Sequence, residues 1–296
     1  MMKLLGLTIT FLVTVSLHAQ SDTILKQSQV TQKNKKISRT QKAKYLNFEL
    51  FVGQTNAQDY AVSPLQFKGS NFGAGLCYYN RGEDSEWSVN TLATNSFMKN
   101  EYSGSKTQFV SGTINAYYLR NSKKLTGKKI RTYLGGYLLG NGNVRINPSY
   151  FNTSYIYDII SSIGISGKIN SGFDFKTKAF TWNNQGTEGR EKYISLDYQL
   201  SIPLLHIYNR PGYATIDNFA STENTNARET KINTWGKTAR LTSKVDLTLF
   251  LKNNNALRIS YYWDAYSASP NYNKLAVSNT GFLMTLMFRL NKKILE

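Results

Sequence analysis

Residues 194–202 read Ile-Ser-Leu-Asp-Tyr-Gln-Leu-Ser-Ile, and residues 241–251 read Leu-Thr-Ser-Lys-Val-Asp-Leu-Thr-Leu-Phe-Leu. In both stretches apolar residues alternate with polar ones. Successive side chains of a β-strand point to opposite sides, so this pattern predicts strands with one apolar and one polar face. The same alternation recurs along the chain, at residues 47–53, 72–79, 110–118, 130–138, 257–264 and 281–290. The chain is therefore expected to form many amphipathic strands.

The first 19 residues have the three parts of a secretory signal peptide. Lys3 supplies the positive charge, residues 4–17 are mostly apolar, and small residues end at Ala19. A helix that spans a bilayer needs about 20 apolar residues, so we expect this segment to be cleaved and not to act as an anchor. No cysteine follows the expected cleavage site, which excludes a lipoprotein signal. The mature, exported chain is predicted to begin near Gln20.

An exported chain with many amphipathic strands is typical of a transmembrane β-barrel of the outer membrane. The sequence therefore predicts an all-β, antiparallel barrel over residues 45–296. The 20 Tyr residues are consistent with this fold, because aromatic residues form girdles at the two membrane–water interfaces of such barrels. A soluble exported β-sandwich also has alternating faces and remains open as a second fold.

The number of strands depends on the middle of the chain. If residues 172–182 form a strand and Pro203 marks a tight turn, the barrel has about 12 strands; if neither holds, it has 10. Proline lacks the N–H that a strand pairing needs, which favours 12. Outer loops are expected at 54–69, 99–106, 141–153, 217–236 and 267–274, and periplasmic turns at 81–85, 121–129 and 252–256.

A strongly basic segment lies ahead of the first strand. The chain has a net charge of +18, and residues 20–44 carry seven Lys or Arg against Asp22 alone. Such a composition buries too little apolar surface to fold, so residues 20–44 are predicted to be a flexible basic arm in the periplasm. The residues expected to contact an acidic envelope protein or an anionic cell-wall polymer are Lys33, Lys35, Lys36 and Arg39. The alternative is that the arm is only a tether.

Three features together resemble the outer-membrane β-barrel proteins common in Bacteroidota. They are the leader ending in Ala19-Gln20, the Ser201-Ile-Pro-Leu-Leu205 stretch that closes a tyrosine-flanked strand, and the Phe-rich final strand. The resemblance covers the chain from about Lys44 onward and is one of general pattern. It implies a small channel or an anchor in a multi-protein envelope assembly.

An enzyme of the outer-membrane phospholipase or deacylase type is the alternative function. Such enzymes need a histidine base beside a serine. After removal of the leader only His206 remains, and the 12-strand interpretation puts it at the periplasmic mouth, away from the outer leaflet. One His and the single Cys77 also exclude the usual soft-ligand metal clusters. No recognition motif for nucleic acid is present, so we expect no nucleic-acid partner. From the histidine and cysteine content we expect no enzyme activity, cofactor or metal.

The interior of the barrel is the candidate functional site. Charged residues of both signs fall on the polar faces of the strands, and they are Glu49, Arg131, Asp158, Asp197, Lys244, Asp246, Arg258, Asp264 and Arg289. In a barrel of 10 to 12 strands the interior is narrow, so opposite charges on neighbouring strands can pair and close it. A closed interior would favour a scaffold, and an open one a channel.

Overall fold

The structure is a computed structural model, and it describes residues 42–60, 63–127, 129–149, 155–176, 180–182, 185–187, 191–211, 228–234, 238–251, 253–268 and 274–290. The strands in these ranges are β1 (Ala43–Asp59), β2 (Ser63–Arg81), β3 (Ser85–Lys99), β4 (Lys106–Asn121), β5 (Ile130–Ile146), β6 (Tyr155–Lys176), β7 (Phe180–Trp182), β8 (Gln185–Thr187), β9 (Glu191–Pro211), β10 (Arg228–Thr234), β11 (Thr238–Phe250), β12 (Ala256–Ala268) and β13 (Leu275–Arg289). The predicted signal peptide and almost all of the predicted arm lie outside these residues.

Ten of these strands form one closed antiparallel barrel. The order around the ring is β1-β2-β3-β4-β5-β6-β9-β11-β12-β13, and β13 pairs with β1 to complete it. β10 pairs with β9 beyond the end of β11 and lies outside the ring, while β7 and β8 form a small separate hairpin. The predicted antiparallel β-barrel is confirmed, and the soluble sandwich is wrong because the strands form a single closed sheet.

The two faces of the barrel differ in polarity over the middle of the strands. On β1, Phe48, Leu50 and Val52 point outward and are 47–56% exposed, whereas Asn47 and Glu49 point inward and are 0% and 2% exposed. An apolar outer band around a polar interior is the arrangement of transmembrane β-barrels. In the part of the chain that the structure describes, no helix is long and apolar enough to cross a membrane.

The barrel has a terminal end, where β1 begins and β13 ends, and an opposite distal end. The strands reach beyond a membrane at the distal end, because β1 has 17 residues and β2 has 19, whereas about 9–11 suffice to span the bilayer. There the outer face becomes polar, and the interior holds an apolar cluster beside the buried charges. Outward residues such as Gln58 and Gln66 are polar, and inward ones pack into an apolar cluster of Ala57, Phe67, Met98, Phe109, Ile160, Tyr208, Tyr266, Ala268, Leu275 and Val277.

Several stretches predicted to be loops are strands with polar outward residues. Residues 54–59 and 63–69, expected in an outer loop, belong to β1 and β2, and residues 141–146 belong to β5. Part of the expected loop at 217–236 forms β10. The predicted turns at 81–85, 121–129 and 252–256 do separate strands at the terminal end. Loops were overestimated because the polar outward residues at the distal end hide the strand pattern.

The predicted count of 12 strands is wrong, and the alternative of 10 is correct for the ring. Residues 172–176 end β6, and Pro203 lies inside β9. There Ile163 pairs with Leu205 and Gly164 with Pro203, so Leu204 is an extra residue in a β-bulge. On the other side of β9, the β11 pairing ends at Ser201 and the β10 pairing begins at Leu205. Pro203 is accommodated because it sits in that gap, and bulges are where proline is found inside sheets.

Candidate functional site in the barrel interior

The nine charged residues predicted for the interior all lie on the inward-facing positions of their strands. Glu49, Asp158, Asp197, Asp246, Arg258 and Asp264 are at most 9% exposed. Arg131, Lys244 and Arg289 are partly exposed. The strands bring most of them into three groups of ion pairs, which are described from the distal end to the terminal end.

The distal group joins four strands around Arg145 of β5. Its Nη1 lies 2.8 Å from Asp59 Oδ2, and its Nη2 lies 2.5 Å from Asp158 Oδ2. Asp59 also pairs with Arg210 of β9. β1 is four strands away from both β5 and β9 around the ring, so these contacts cross the interior. Asn143 reinforces the group by donating to Asp158 at 2.6 Å and to the Tyr266 hydroxyl at 3.0 Å.

The second group is a bidentate ion pair between β11 and β12. Arg240 donates from Nε to Asp264 Oδ1 at 2.9 Å and from Nη2 to Oδ2 at 2.7 Å. The Thr242 hydroxyl donates to the same carboxylate at 2.8 Å. The guanidinium also lies over the Tyr266 ring, 4.9 Å from its centroid. Both charged side chains are 2% exposed, so each depends on the other for compensation.

The third group lies toward the terminal end. Lys168 of β6 bonds Glu86 of β3 at 2.6 Å and lies 3.5 Å from Asp197 of β9. Asp246 lies between Lys244 and Arg258, at 3.4 Å and 3.6 Å. Aromatic rings pack beside these charges, with Tyr45 stacked on Tyr79 and Tyr193 against Phe250. The terminal side of the interior is thus filled by paired charges and rings.

A polar cavity of about 80 Å³ remains in the interior. Its lining includes Glu49, Cys77, Asn90, Asn115 and Asp246. Several buried polar atoms near it have no protein partner: Glu49 Oε2, Asn90 Oδ1, Asn115 Oδ1 and Thr285 Oγ1. A cavity this size holds several water molecules, and buried polar groups without protein partners are usually bonded to water.

His206 is not at the periplasmic mouth, which corrects the sequence prediction. It points into the interior in the distal half of β9, is fully buried, and its Nδ1 lies 2.9 Å from the Ser162 hydroxyl. Its Nε2 has no hydrogen-bond partner, so no acid orients the imidazole as a catalytic triad requires. Within the described ranges no group of three or more His, Cys, Asp and Glu side chains is placed to hold a metal ion.

Sequence reasoning missed half of the charges in these groups. The missed residues are Asp59, Glu86, Arg145, Lys168, Arg210 and Arg240. Asp59 and Arg145 lie in stretches expected to be loops. Arg240 and Lys168 follow the same two-residue alternation as the predicted residues, and that alternation is the signal that identifies them.

No protein-family model and no curated protein matches the sequence. Solved structures do match. The outer membrane protease OmpT from Escherichia coli is 8% identical, with 83% of this chain and 97% of that chain covered and a TM-score of 0.44. The transport unit of the autotransporter AIDA-I from Escherichia coli is 6% identical, with 86% and 91% covered and a TM-score of 0.40. The β domain of the Bordetella autotransporter BrkA is 10% identical, with 83% and 99% covered and a TM-score of 0.31. At these values the likeness concerns general architecture and assigns no activity.

Proposed function

We propose that the protein is a non-enzymatic β-barrel of the outer membrane that anchors an envelope assembly and does not conduct solutes. The observation that carries this proposal is the closed interior. The Asp59–Arg145 and Asp59–Arg210 pairs join opposite walls, and the apolar cluster around Phe67 and Phe109 packs beside them at the distal end. A channel needs a continuous polar path, which these contacts interrupt.

The interior is costly to open because its charges are buried. Asp158, Arg210, Arg240 and Asp264 are at most 2% exposed, and an uncompensated buried charge costs several kcal/mol. Separating the walls would break the Asp59–Arg145 and Asp59–Arg210 pairs and leave buried charges without partners. The same packing keeps substrates away from the Ser162–His206 pair, which supports a protein without hydrolase activity.

The basic arm supplies the contact with the assembly. In this proposal Lys33, Lys35, Lys36 and Arg39 hold an acidic periplasmic protein or an anionic cell-wall polymer while the barrel is held by outer-membrane lipid. Exposed charges act over about 8–10 Å at physiological ionic strength, so the contact should weaken as salt is added. Deleting Gln20–Gln41 should leave barrel insertion intact and abolish salt-sensitive co-purification of envelope components. If the same components co-purify at the same salt, the arm is only a tether.

Conductance across a planar lipid bilayer tests the closed interior. The purified full-length protein should insert and give no steady ionic current. Insertion is verified on the same sample by gel migration that changes on heating, as expected for a closed barrel that resists detergent. Its current is compared with that of the variant Phe67→Ala/Phe109→Ala, whose interior is loosened because two rings of the distal cluster are removed. A steady current through the unmodified protein would overturn the anchoring proposal in favour of a channel.

A further inference from the structure

Three lysines stand side by side on the outer face of the barrel near its distal end. Lys68 of β2 is in register with Lys99 of β3, and Lys99 is in register with Lys106 of β4. All three are exposed and occupy outward-facing positions, because their neighbours Phe67, Met98 and Thr107 are buried inside. We call Lys68, Lys99 and Lys106 the lysine row.

The lysine row is unfavourable for the isolated barrel. Side chains directly opposite each other on adjacent strands have Cβ atoms about 4.5–5.5 Å apart, and like charges in such positions destabilise a sheet. Among the residues that the structure describes, no carboxylate forms a salt bridge with any of the three. Glu101 lies in the neighbouring turn and forms no salt bridge with them. An anionic ligand would remove this repulsion.

The height of the lysine row matches the edge of the apolar band. On β3, Phe97 is the outward residue next to Lys99 and is 60% exposed, and Phe72 and Val110 on the flanking strands are 46% and 38% exposed. Lysine at the edge of an apolar band lies at the level of lipid headgroups, where it attracts their negative charge. The anion that reaches this position is therefore part of the membrane.

A groove of small residues lies on the same strands, closer to the membrane midplane. In register across β2 to β5, its floor is Ala74, Ala93, Gly112 and Gly142. A Cβ atom at Gly112 or Gly142 would meet no atom within 4 Å, so nothing in the barrel itself requires glycine there. Lys99 and Ala93 are six residues apart, which is about 20 Å along the strand. Because the strands are tilted by about 40°, the corresponding depth in the membrane is roughly half of the 30 Å hydrocarbon core.

We infer that the lysine row binds the phosphate groups of an anionic lipid whose acyl chains extend along β2–β5 into this groove. Charge complementarity selects the headgroup, and the spacing of row and groove matches the depth of one leaflet. The inference requires a membrane location and is independent of whether the interior conducts. If the purified protein stays soluble without detergent, the proposed membrane location is wrong. If it needs detergent but does not bind the lipid in the titrations below, only the lipid-binding inference is wrong.

Titration of the full-length protein in neutral detergent tests the headgroup site. The probes are a phosphatidic acid with two long acyl chains, the matching phosphatidylcholine, and inorganic phosphate. The variant Lys68→Gln/Lys99→Gln should bind phosphatidic acid about 25-fold more weakly, since a lysine near a lipid surface contributes about five-fold. The control Lys123→Gln/Lys124→Gln removes the same charge from an exposed turn at the terminal end and should bind like the unmodified protein.

The same samples show whether a loss of binding is only a loss of folding. Without lipid, Lys68→Gln/Lys99→Gln should unfold at the same or a higher temperature than the unmodified protein, because like charges have been removed. Equal weakening in both double variants would overturn the inference, as would equal binding of phosphatidylcholine. Inorganic phosphate binding as tightly as the lipid would also overturn it, because the row would then hold a free ion.

The acyl groove is tested separately by filling it. Gly112→Leu should weaken binding of the long-chain phosphatidic acid several-fold and leave binding of a six-carbon-chain form unchanged. Gly136→Leu is the matched control, because this outward glycine of β5 lies outside the groove and its Cβ would meet its nearest atom at 3.5 Å. Unchanged binding of the long-chain lipid by Gly112→Leu would contradict the groove.

Discussion

At the scale of single residues, the buried ion pairs decide whether the interior holds together. Arg240 and Asp264 compensate each other at 2.7–2.9 Å with almost no exposure. We expect Arg240→Met to destabilise the barrel by about 3–5 kcal/mol, because Asp264 is left as an uncompensated buried charge. The loss is measured by urea unfolding in lipid vesicles, with the heat-modified gel shift as a second readout.

The double variant Arg240→Met/Asp264→Leu separates pairing from packing. Replacing a buried pair by apolar groups of similar volume is often neutral or stabilising, so the double variant should recover most of the loss. If it is as unstable as Arg240→Met alone, the side chain of Arg240 stabilises the barrel through its packing on Tyr266 and not through its charge.

Sequence alternation identified individual interior residues only where the strand itself was recognised. Asp246 and Asp264 were found because Leu247 and Trp263 beside them are apolar and outward-facing. Asp59 was missed because its strand neighbours Gln58 and Asn56 are outward-facing but polar. No local signal in the sequence indicates that Asp59 contacts Arg145, since that contact depends on barrel closure between strands far apart in the chain.

At the scale of elements, strand length was harder to predict than strand existence. The distal parts of β1 and β2 lie beyond the apolar band, so their outward residues face water, while Ala57 and Phe67 on the inward side join the apolar cluster. A strand whose outward residues become polar resembles a loop when it is scanned for a lipid-facing side. This change explains why residues 54–69 were predicted to be a loop.

The bulge in β9 gives a prediction for this element. Pro203 and His206 both point inward although they are an odd number of positions apart, because Leu204 and Leu205 between them both point outward. Deleting Leu204 restores simple alternation and keeps every other side chain on its face. We therefore expect the Leu204 deletion to assemble into a heat-modifiable barrel with reduced stability.

Deletion of Leu196 from the regular part of the same strand is the control. It removes the same residue type but turns over the side chains on one side of the deletion, because a one-residue shift exchanges the two faces of a strand. Inward residues on that side of the deletion, such as Asp197, would then face lipid, and assembly should fail. Equal assembly of the two deletions would mean that the faces of β9 do not control insertion.

At the scale of the whole molecule, the apolar band fixes where the barrel sits. Leu247 is in register with Ile259 and Leu196, all exposed and outward-facing in the middle of the band. Leu247→Arg should cost about 2–4 kcal/mol and reduce assembly, because a cation near the bilayer midplane is poorly solvated. Assembly is measured as the heat-modifiable fraction after refolding into vesicles.

Ser267→Arg adds the same charge to an outward position at the distal end of β12, where the cost should fall to about 0–1 kcal/mol. A similar loss of assembly in both variants would place Ser267 inside the membrane and contradict the assigned band. Both variants introduce arginine on the outer face of the same sheet, at two different depths.

The pairing of β1 with β13 has a consequence for the order of events during biogenesis. Tyr45 pairs with Arg289 and Asp59 with Leu275, so the first and last strands form the seam that closes the ring. Most other strand pairs form between neighbours in the sequence, and these pairs can form as soon as both strands are present. The seam must wait for the last strand, and loop closure over so long a chain is slow. A chain that lost its last strand would remain an open sheet with two unpaired edges, which invites aggregation. The sheet therefore has no unpaired edge only once β13 has paired with β1.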